Sequence, residues 1–283
     1  MKIILAEKQG MCFGVKRAVD IAEKAAKTKK KGSSIYMYGP LVHNKKIIGF
    51  LEAKGIKSIK TLSQAEKGSS IIIRAHGASD KDILDAKLRQ ISIIDATCPY
   101  VQKSKDSAKQ MEKEGFRVVM LGQKEHPEVR GISESLNSSI VIRGMEDIRK
   151  LNGLDRVGII SQTTHSQDSL NSIIRELRKK GVLVKVENTI CTATSERQAS
   201  AIDTAKKADL MLVIGDKTSA NTKKLADICS KITDTRYIEG SDELKKEWFE
   251  GVENVGITAG ASTPDNVVED VVKRLNRINT ICF

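Results

Sequence analysis

The same order of elements is written three times along this chain of 283 residues, and that internal repeat limits the fold more than any single motif does. One strand pattern runs into a cysteine and then into a helical pattern: Ile3-Ile4-Leu5 to Cys12, Ile91-Ser92-Ile93-Ile94-Asp95 to Cys98, and Val182-Leu183-Val184-Lys185-Val186 to Cys191. The spacing predicts helices with apolar faces at Val15, Ala18, Val19 and Ala22, then at Val101, Ser104, Ala108 and Met111, then at Ala199, Ile202 and Ala205. A second pattern is a strand, a glycine and a polar loop before a helix: Gly39 to His43-Asn44, Gly122 to His126-Pro127-Glu128, and Gly215 to Ser219-Ala220-Asn221. A third pattern ends strands in polar residues at Arg74-Ala75-His76, Ser161-Gln162-Thr163 and Thr258-Ala259-Gly260-Ala261-Ser262.

Strands that alternate with helices over short loops predict parallel sheets, whose functional groups gather at the carboxyl ends of strands. The expected fold class is α/β, with three pseudo-threefold-related α/β modules carrying parallel sheets around a central cleft. The repeat-bearing cysteines lie 86 and 93 residues apart, so three units of that size nearly fill the chain. Expected boundaries are 13–97, 98–189 and 190–283, with residues 1–12 completing the sheet of the third module.

Composition excludes several classes. With 40% hydrophobic and 30% charged residues the chain is neither disordered nor fibrous, and no apolar run approaches the roughly 18 to 20 residues that span a bilayer. Met1 to Glu7 reads as a first strand and not as a cleaved signal. Five scattered cysteines, an odd number, are no disulfide framework, which fits a cytoplasmic, thiol-preserving location. The net charge of +12 favours an anionic partner, but aromatics at 4% leave no stacking platform for nucleic acid, so a small anion is expected.

Any one cysteine is most simply a small buried residue. Cys12, Cys98 and Cys191 differ because they hold equivalent places in three copies, whereas Cys229 and Cys282 do not. Three thiolates suit zinc or an iron–sulfur cluster, and a cluster with three cysteines keeps one iron open. His43, His76 and His126 lie on the polar loops, with Thr163, Ser219, Asn221 and Ser262 at comparable places. Imidazoles, hydroxyls, an amide and helix N-termini form a cradle for a compact polyanion. Glu128 shares the loop of His126, where cation and anion would pull its pKa in opposite directions, and it is a candidate acid/base. His165 matches nothing in the other copies and reads as a solvated bystander; Trp248 reads as packing.

Eight stretches in order resemble the 4-hydroxy-3-methylbut-2-enyl diphosphate reductase family, also called LytB or IspH. They are Gly10 to Ala18, Leu41 to Asn44, Arg74 to Gly77, Asp95 to Pro99, His126 to Val129, Ser161 to Thr164, Thr189 to Gln198, and Thr258 to Ser262. The resemblance covers essentially the whole chain. It implies a trefoil of three α/β modules and one 4Fe-4S cluster per chain, held by Cys12, Cys98 and Cys191. It implies that His43, His76, His126, Ser219, Asn221 and Ser262 bind the diphosphate, that Thr163 lies near the substrate hydroxyl, that Glu128 delivers protons through it, and that Gln162 assists. The implied reaction removes an allylic hydroxyl to give isopentenyl and dimethylallyl diphosphate, with ferredoxin or flavodoxin as the electron donor.

Ala220 departs from the family pattern, which often has a second serine there, so one hydroxyl donor to the diphosphate is lost. The chain ends at Phe283, without the longer tail of some relatives. Two other classes share parts of the residue inventory. A zinc-dependent hydrolase of a small phosphate ester would use the same Cys, His and Glu residues. A nucleic-acid-binding module would account for the charge alone.

Overall fold

The computed structural model describes residues 1–281; Cys282 and Phe283, the end of the expected third module, lie outside the described residues. Among the described residues twelve strands form three four-stranded parallel sheets, so the α/β class expected from the repeat is the class observed. The chain divides into two compact units: one comprises Met1–Lys16, His43–Ile47 and the chain from Thr192 on, and the other comprises Arg17–Val42 and Ile48–Cys191.

The first unit holds one sheet, built from β1 (Lys2–Leu5), β10 (Leu210–Ile214), β11 (Asp234–Ile238) and β12 (Asn254–Ala259) in the order β1-β12-β10-β11. The opening strand lies parallel to the last one, with Ile3 opposite Val255 and Leu5 opposite Ile257. Helix α9 (Asp265–Ile281) covers this sheet through Val267, Val268, Val271 and Leu275, and Trp248 packs at the edge of the same cluster.

The second unit holds the other two sheets. One is β3 (Ile56–Ile59), β2 (Ile35–Tyr38), β4 (Ser70–Ile73) and β5 (Ser92–Asp95); the other is β7 (Ser139–Ile142), β6 (Arg117–Leu121), β8 (Arg156–Ser161) and β9 (Leu183–Val186), each in the order given. Helix α4 (Pro99–Lys113) buries Val101, Ser104, Ala108 and Met111, the face expected from the sequence. Gly158 on β8 admits it closely, since a Cβ there would lie 2.8 Å from the Met111 sulfur.

All three sheets have the same plan. The two central strands are apolar and buried on both faces, as parallel strands covered on both sides must be; β10 and β12 are buried nearly throughout. The cysteine-bearing turn follows one edge strand, β1, β5 or β9. The opposite edges, β3, β7 and β11, are absent from the three strand patterns read in the sequence. They are four or five residues long, partly exposed and polar in places (IKSI, SIVI, DTRYI), so neither alternation nor a continuous apolar run marks them.

One helix face is also shifted. Ala199 on α7 (Thr192–Ala205) is exposed, and the buried stripe is Thr194, Arg197, Ala201, Thr204 and Ala205. Small apolar residues on both sides of α7 blurred the 3.6-residue period, and the inward side carries a long cation that an apolar pattern does not register.

Candidate functional site

Each of the three repeat-bearing cysteines is the residue immediately before a helix: Cys12 before α1 (Phe13–Lys27), Cys98 before α4 and Cys191 before α7. All three are half-buried. The backbone N–H of each is anchored in the same way, to a carbonyl two residues beyond the neighbouring strand: Cys12 to Ala261 (3.0 Å), Cys98 to Ala75 (2.9 Å) and Cys191 to Thr163 (3.0 Å). The Val15 N–H reaches back to the Cys12 sulfur at 3.5 Å. A helix N-terminus presents unpaired N–H groups and the positive end of the helix dipole, which favours an anionic ligand sulfur. Soft donors placed on rigid turns fit a thiolate-bound iron–sulfur group.

In the second unit the acid/base candidate is defined most sharply. Glu128 is the second residue of the short helix α5 (Pro127–Ser133) and only 1% exposed. Its carboxyl accepts from the Thr163 N–H at 2.7 Å and from the Thr163 hydroxyl at 2.8 Å. Burial lifts its pKa to about 7, against the two Thr163 hydrogen bonds, which pull it down. Burial is therefore the main cause of the shift, and not the neighbouring cation and anion expected from the sequence. Thr163 also carries the carbonyl that anchors Cys191, so one residue joins the acid to a cysteine turn.

Gln162, the preceding residue, is itself held at both ends of its amide. Its carbonyl oxygen accepts from the Gln123 N–H at 3.2 Å and its amide donates to the Thr164 hydroxyl at 2.9 Å. Gly122 leaves room for it, because a Cβ there would lie 2.9 Å from the Gln162 side chain.

His126 caps α5, its Nδ1 accepting from the Glu128 N–H at 3.3 Å, which assigns the ring proton to Nε2. The His76 ring stands edge-on to it, with centroids 5.2 Å apart and an interplanar angle of 85°. These two histidines come from different sheets of the unit, at the ends of β4 and β6. His165 lies apart from them: its Nδ1 accepts from the Ser166 N–H at the start of α6 (Gln167–Lys179), and its other nitrogen lies 3.3 Å from the Arg143 carbonyl.

The first unit carries His43, Ser219, Asn221 and Ser262. The Ser262 hydroxyl donates to the His43 carbonyl at 2.8 Å. Asn44 then starts α2 (Lys45–Ala53), accepting from the Ile47 N–H at 3.1 Å. Ser219 caps α8 (Ala220–Cys229), accepting from the Thr222 N–H at 3.3 Å. Asn221 is 5% exposed, and both polar atoms of its amide are buried without a hydrogen-bond partner. Buried amides are nearly always paired, so a donor and an acceptor left open at a helix start are what a polar ligand would complete.

The repeat relates these groups. His43, His126 and Ser219 each stand four residues past their glycine, and Glu128 and Asn221 each stand six past theirs. The sequence pattern places them on loops; the structure puts Glu128 and Asn221 in the first turn of helices, where the backbone holds them. Cys229 is separate, buried in the core against β10, where burial pushes its thiol up to about 11.

Arg197, Arg74 and Asn44 carry no role that the sequence pattern assigns. Arg74 sits two residues before His76, packed so closely on Gly39 that a Cβ there would lie 2.7 Å from its guanidinium. Gly39 has φ +71°, so the turn suits glycine in two ways.

Comparison with known proteins gives one consistent result. The family model described as LytB protein matches residues 3–276. The 4-hydroxy-3-methylbut-2-enyl diphosphate reductase of Pelobacter propionicus is 40% identical over 99% of both chains, and that of Geobacter metallireducens is 39% identical over 99% of both. A solved structure of (E)-4-hydroxy-3-methyl-but-2-enyl diphosphate reductase, described as the terminal enzyme of the non-mevalonate pathway, is 39% identical. It matches 98% of this chain and 100% of its own, with a TM-score of 0.71. The E-1-hydroxy-2-methyl-but-2-enyl-4-diphosphate reductase of Plasmodium falciparum is 29% identical with a TM-score of 0.90, over 98% of this chain and 87% of its own.

Proposed function

Because the chain belongs to the LytB protein family, we propose that it is a 4-hydroxy-3-methylbut-2-enyl diphosphate reductase, an oxidoreductase that forms isopentenyl and dimethylallyl diphosphate in the non-mevalonate isoprenoid route. Membership of that family sets aside the zinc-dependent hydrolase. The observation that carries the reading at the level of chemistry is Thr163. It clamps a buried carboxyl with a pKa near 7 and at the same time anchors the Cys191 turn.

Cys12, Cys98 and Cys191 would hold a 4Fe-4S cluster, one per chain, and the chemistry of their donor set supports it. When bound, the cluster supplies the electrons that no side chain can, together with one iron not taken by cysteine. The protein does the rest. His43, His76, His126, Ser219, Asn221 and Ser262 bind the diphosphate, with imidazole N–H groups, hydroxyls and helix starts as donors. The open amide of Asn221 supports that assignment.

Glu128 is the proton source for the leaving hydroxyl. A carboxyl with a pKa near 7 is half protonated at neutral pH, which is the useful range for a general acid. Its proton passes through the Thr163 hydroxyl to the substrate hydroxyl, which leaves as water as two electrons enter the allyl fragment; the second proton, taken up at the allyl carbon, comes from the bound diphosphate. Gln162 holds Thr163 in register. The buried surroundings of the pair keep bulk water from short-circuiting the transfer.

Among the described residues no helix is long and apolar enough to cross a membrane. The reaction is assigned to the cytoplasm, consistent with five cysteines and no disulfide framework in the sequence. Electrons come from a small acidic carrier, ferredoxin or flavodoxin, matched by the +12 charge of this chain. The modules are assigned to 13–97, 98–189 and 190–283, with 1–12 added to the third.

The test is anaerobic purification with iron, sulfide and zinc analysis, followed by turnover of the diphosphate substrate with a reduced viologen. Iron and sulfide in equal amounts with reductant-dependent loss of the substrate hydroxyl support the reading. A colourless zinc protein, or an iron–sulfur protein inert toward the substrate, overturns it.

A further inference from the structure

Arg197 belongs to the Cys191 to Gln198 motif, yet none of the roles above uses it. It is 8% exposed and is the only lysine or arginine in the buried class among the described residues. Its Nε donates to the Gly10 carbonyl at 3.1 Å and its Nη1 to the Ala193 carbonyl at 2.8 Å. Both acceptors are neutral carbonyls. Neither hydrogen bond is therefore an ion pair, and the guanidinium is spent on backbone carbonyls.

The two carbonyls have telling positions. Gly10 is two residues before Cys12, and Ala193 is two residues after Cys191. Long side chains on helices lean toward the N-terminus, so Arg197 on α7 leans toward the end that Cys191 precedes. Gly10 itself is fixed, with φ +73° and its N–H donating to the Ala259 carbonyl at 3.2 Å. One planar guanidinium, with its donors in a rigid fork, therefore ties the turn of one cysteine to the turn of another, a geometry lysine cannot reproduce.

We propose that Arg197 is a positioning residue that clasps the Cys12 and Cys191 turns and sets the reduction potential of the group they hold. This rests on the iron–sulfur reading above. A 4Fe-4S cluster on three thiolates is anionic, and one-electron reduction by an external reductant adds one negative charge without forming or breaking a bond. A fixed buried cation stabilises the reduced form more than the oxidised form and so raises the potential.

The test uses the whole protein, purified anaerobically as wild type, R197Q and R197K, with iron and sulfide analysis, a chelator challenge and an EPR-monitored redox titration with dye mediators. R197Q is expected to titrate more negatively. At the wild-type midpoint its reduced-to-oxidised ratio should fall about tenfold, which is about 59 mV for one electron. R197K, keeping the charge but losing the fork, should recover the potential and still lose iron to chelator faster than wild type. A cluster in R197Q with wild-type potential and wild-type iron loss overturns the inference. So does a folded R197K with wild-type iron loss, should R197Q fail to fold. A wild-type protein that takes up no iron and sulfide instead overturns the reductase reading itself.

Discussion

Thr163 donates twice to Glu128, through its N–H at 2.7 Å and its hydroxyl at 2.8 Å, and this pairing opposes the effect of burial on a carboxyl that is otherwise sealed from water. Desolvation favours the neutral acid, while the two donors favour the carboxylate. The balance settles at a pKa of about 7.

Glu128→Gln keeps the shape and removes the transferable proton. Turnover is expected to fall by at least 10²-fold, the lower range for loss of a general acid. Calorimetry should find the diphosphate substrate bound with affinity within about threefold of wild type. Full activity in this variant would refute the proton relay.

The pH dependence has a definite sign. A general acid works in its protonated form, so kcat should decline as pH rises through about 7. Thr163→Val removes the hydroxyl that both relays the proton and stabilises the carboxylate, so turnover should fall while residual activity still reports the pKa of Glu128. Its alkaline limb should therefore move to higher pH, and a limb that stays in place means the hydroxyl does not tune Glu128.

Stability follows the same titration. The folded pKa of Glu128 is raised above its ordinary value of 4.5, so its contribution is fully present below pH 4.5 and is lost as pH rises through about 7. Full ionisation costs on the order of 3 kcal/mol. Thermal melts should show Glu128→Gln gaining on wild type at pH 8.5 and not at pH 4. Equal differences at both pH values would contradict the raised pKa.

Asn221 has two buried amide atoms with no partner, each an unfavourable feature of the ligand-free fold, worth about 1–3 kcal/mol. Asn221→Ala should leave the thermal midpoint of the ligand-free protein unchanged or higher, while weakening diphosphate binding about tenfold or more. Lower stability with unaltered affinity would assign the amide to packing instead.

The setting of α8 depends on a glycine. A Cβ on Gly260 would lie 1.9 Å from the Thr222 hydroxyl, in the first turn of the helix that carries Ser219 and Asn221. Gly260→Ala should cost about 1–3 kcal/mol in urea unfolding, as overpacking does. Thr222→Ala in the same chain should restore part of that loss, and additive single effects would show that the two residues do not touch.

The repeat made much of this legible in the sequence. Cysteines before helices, glycines after strands and polar residues a fixed distance beyond them are local patterns, so their types and spacings read directly; α4 buried the face its spacing predicted. Short half-polar edge strands such as β3 carried too little local signal. The face of α7 misled because its buried side carries Arg197, a residue whose inward position has no apolar signature.

Chemistry along the chain is thus set by residue type and spacing, since helix starts and strand ends are decided within a few residues. The protonation of Glu128, the open amide of Asn221 and the reach of Arg197 to Gly10 were decided only by tertiary structure. Each depends on what packs around a group from distant parts of the chain, Thr163 being 35 residues from Glu128 and Gly10 being 187 from Arg197. Burial and hydrogen-bond satisfaction are properties of that three-dimensional surrounding, and a linear pattern of residues does not contain them.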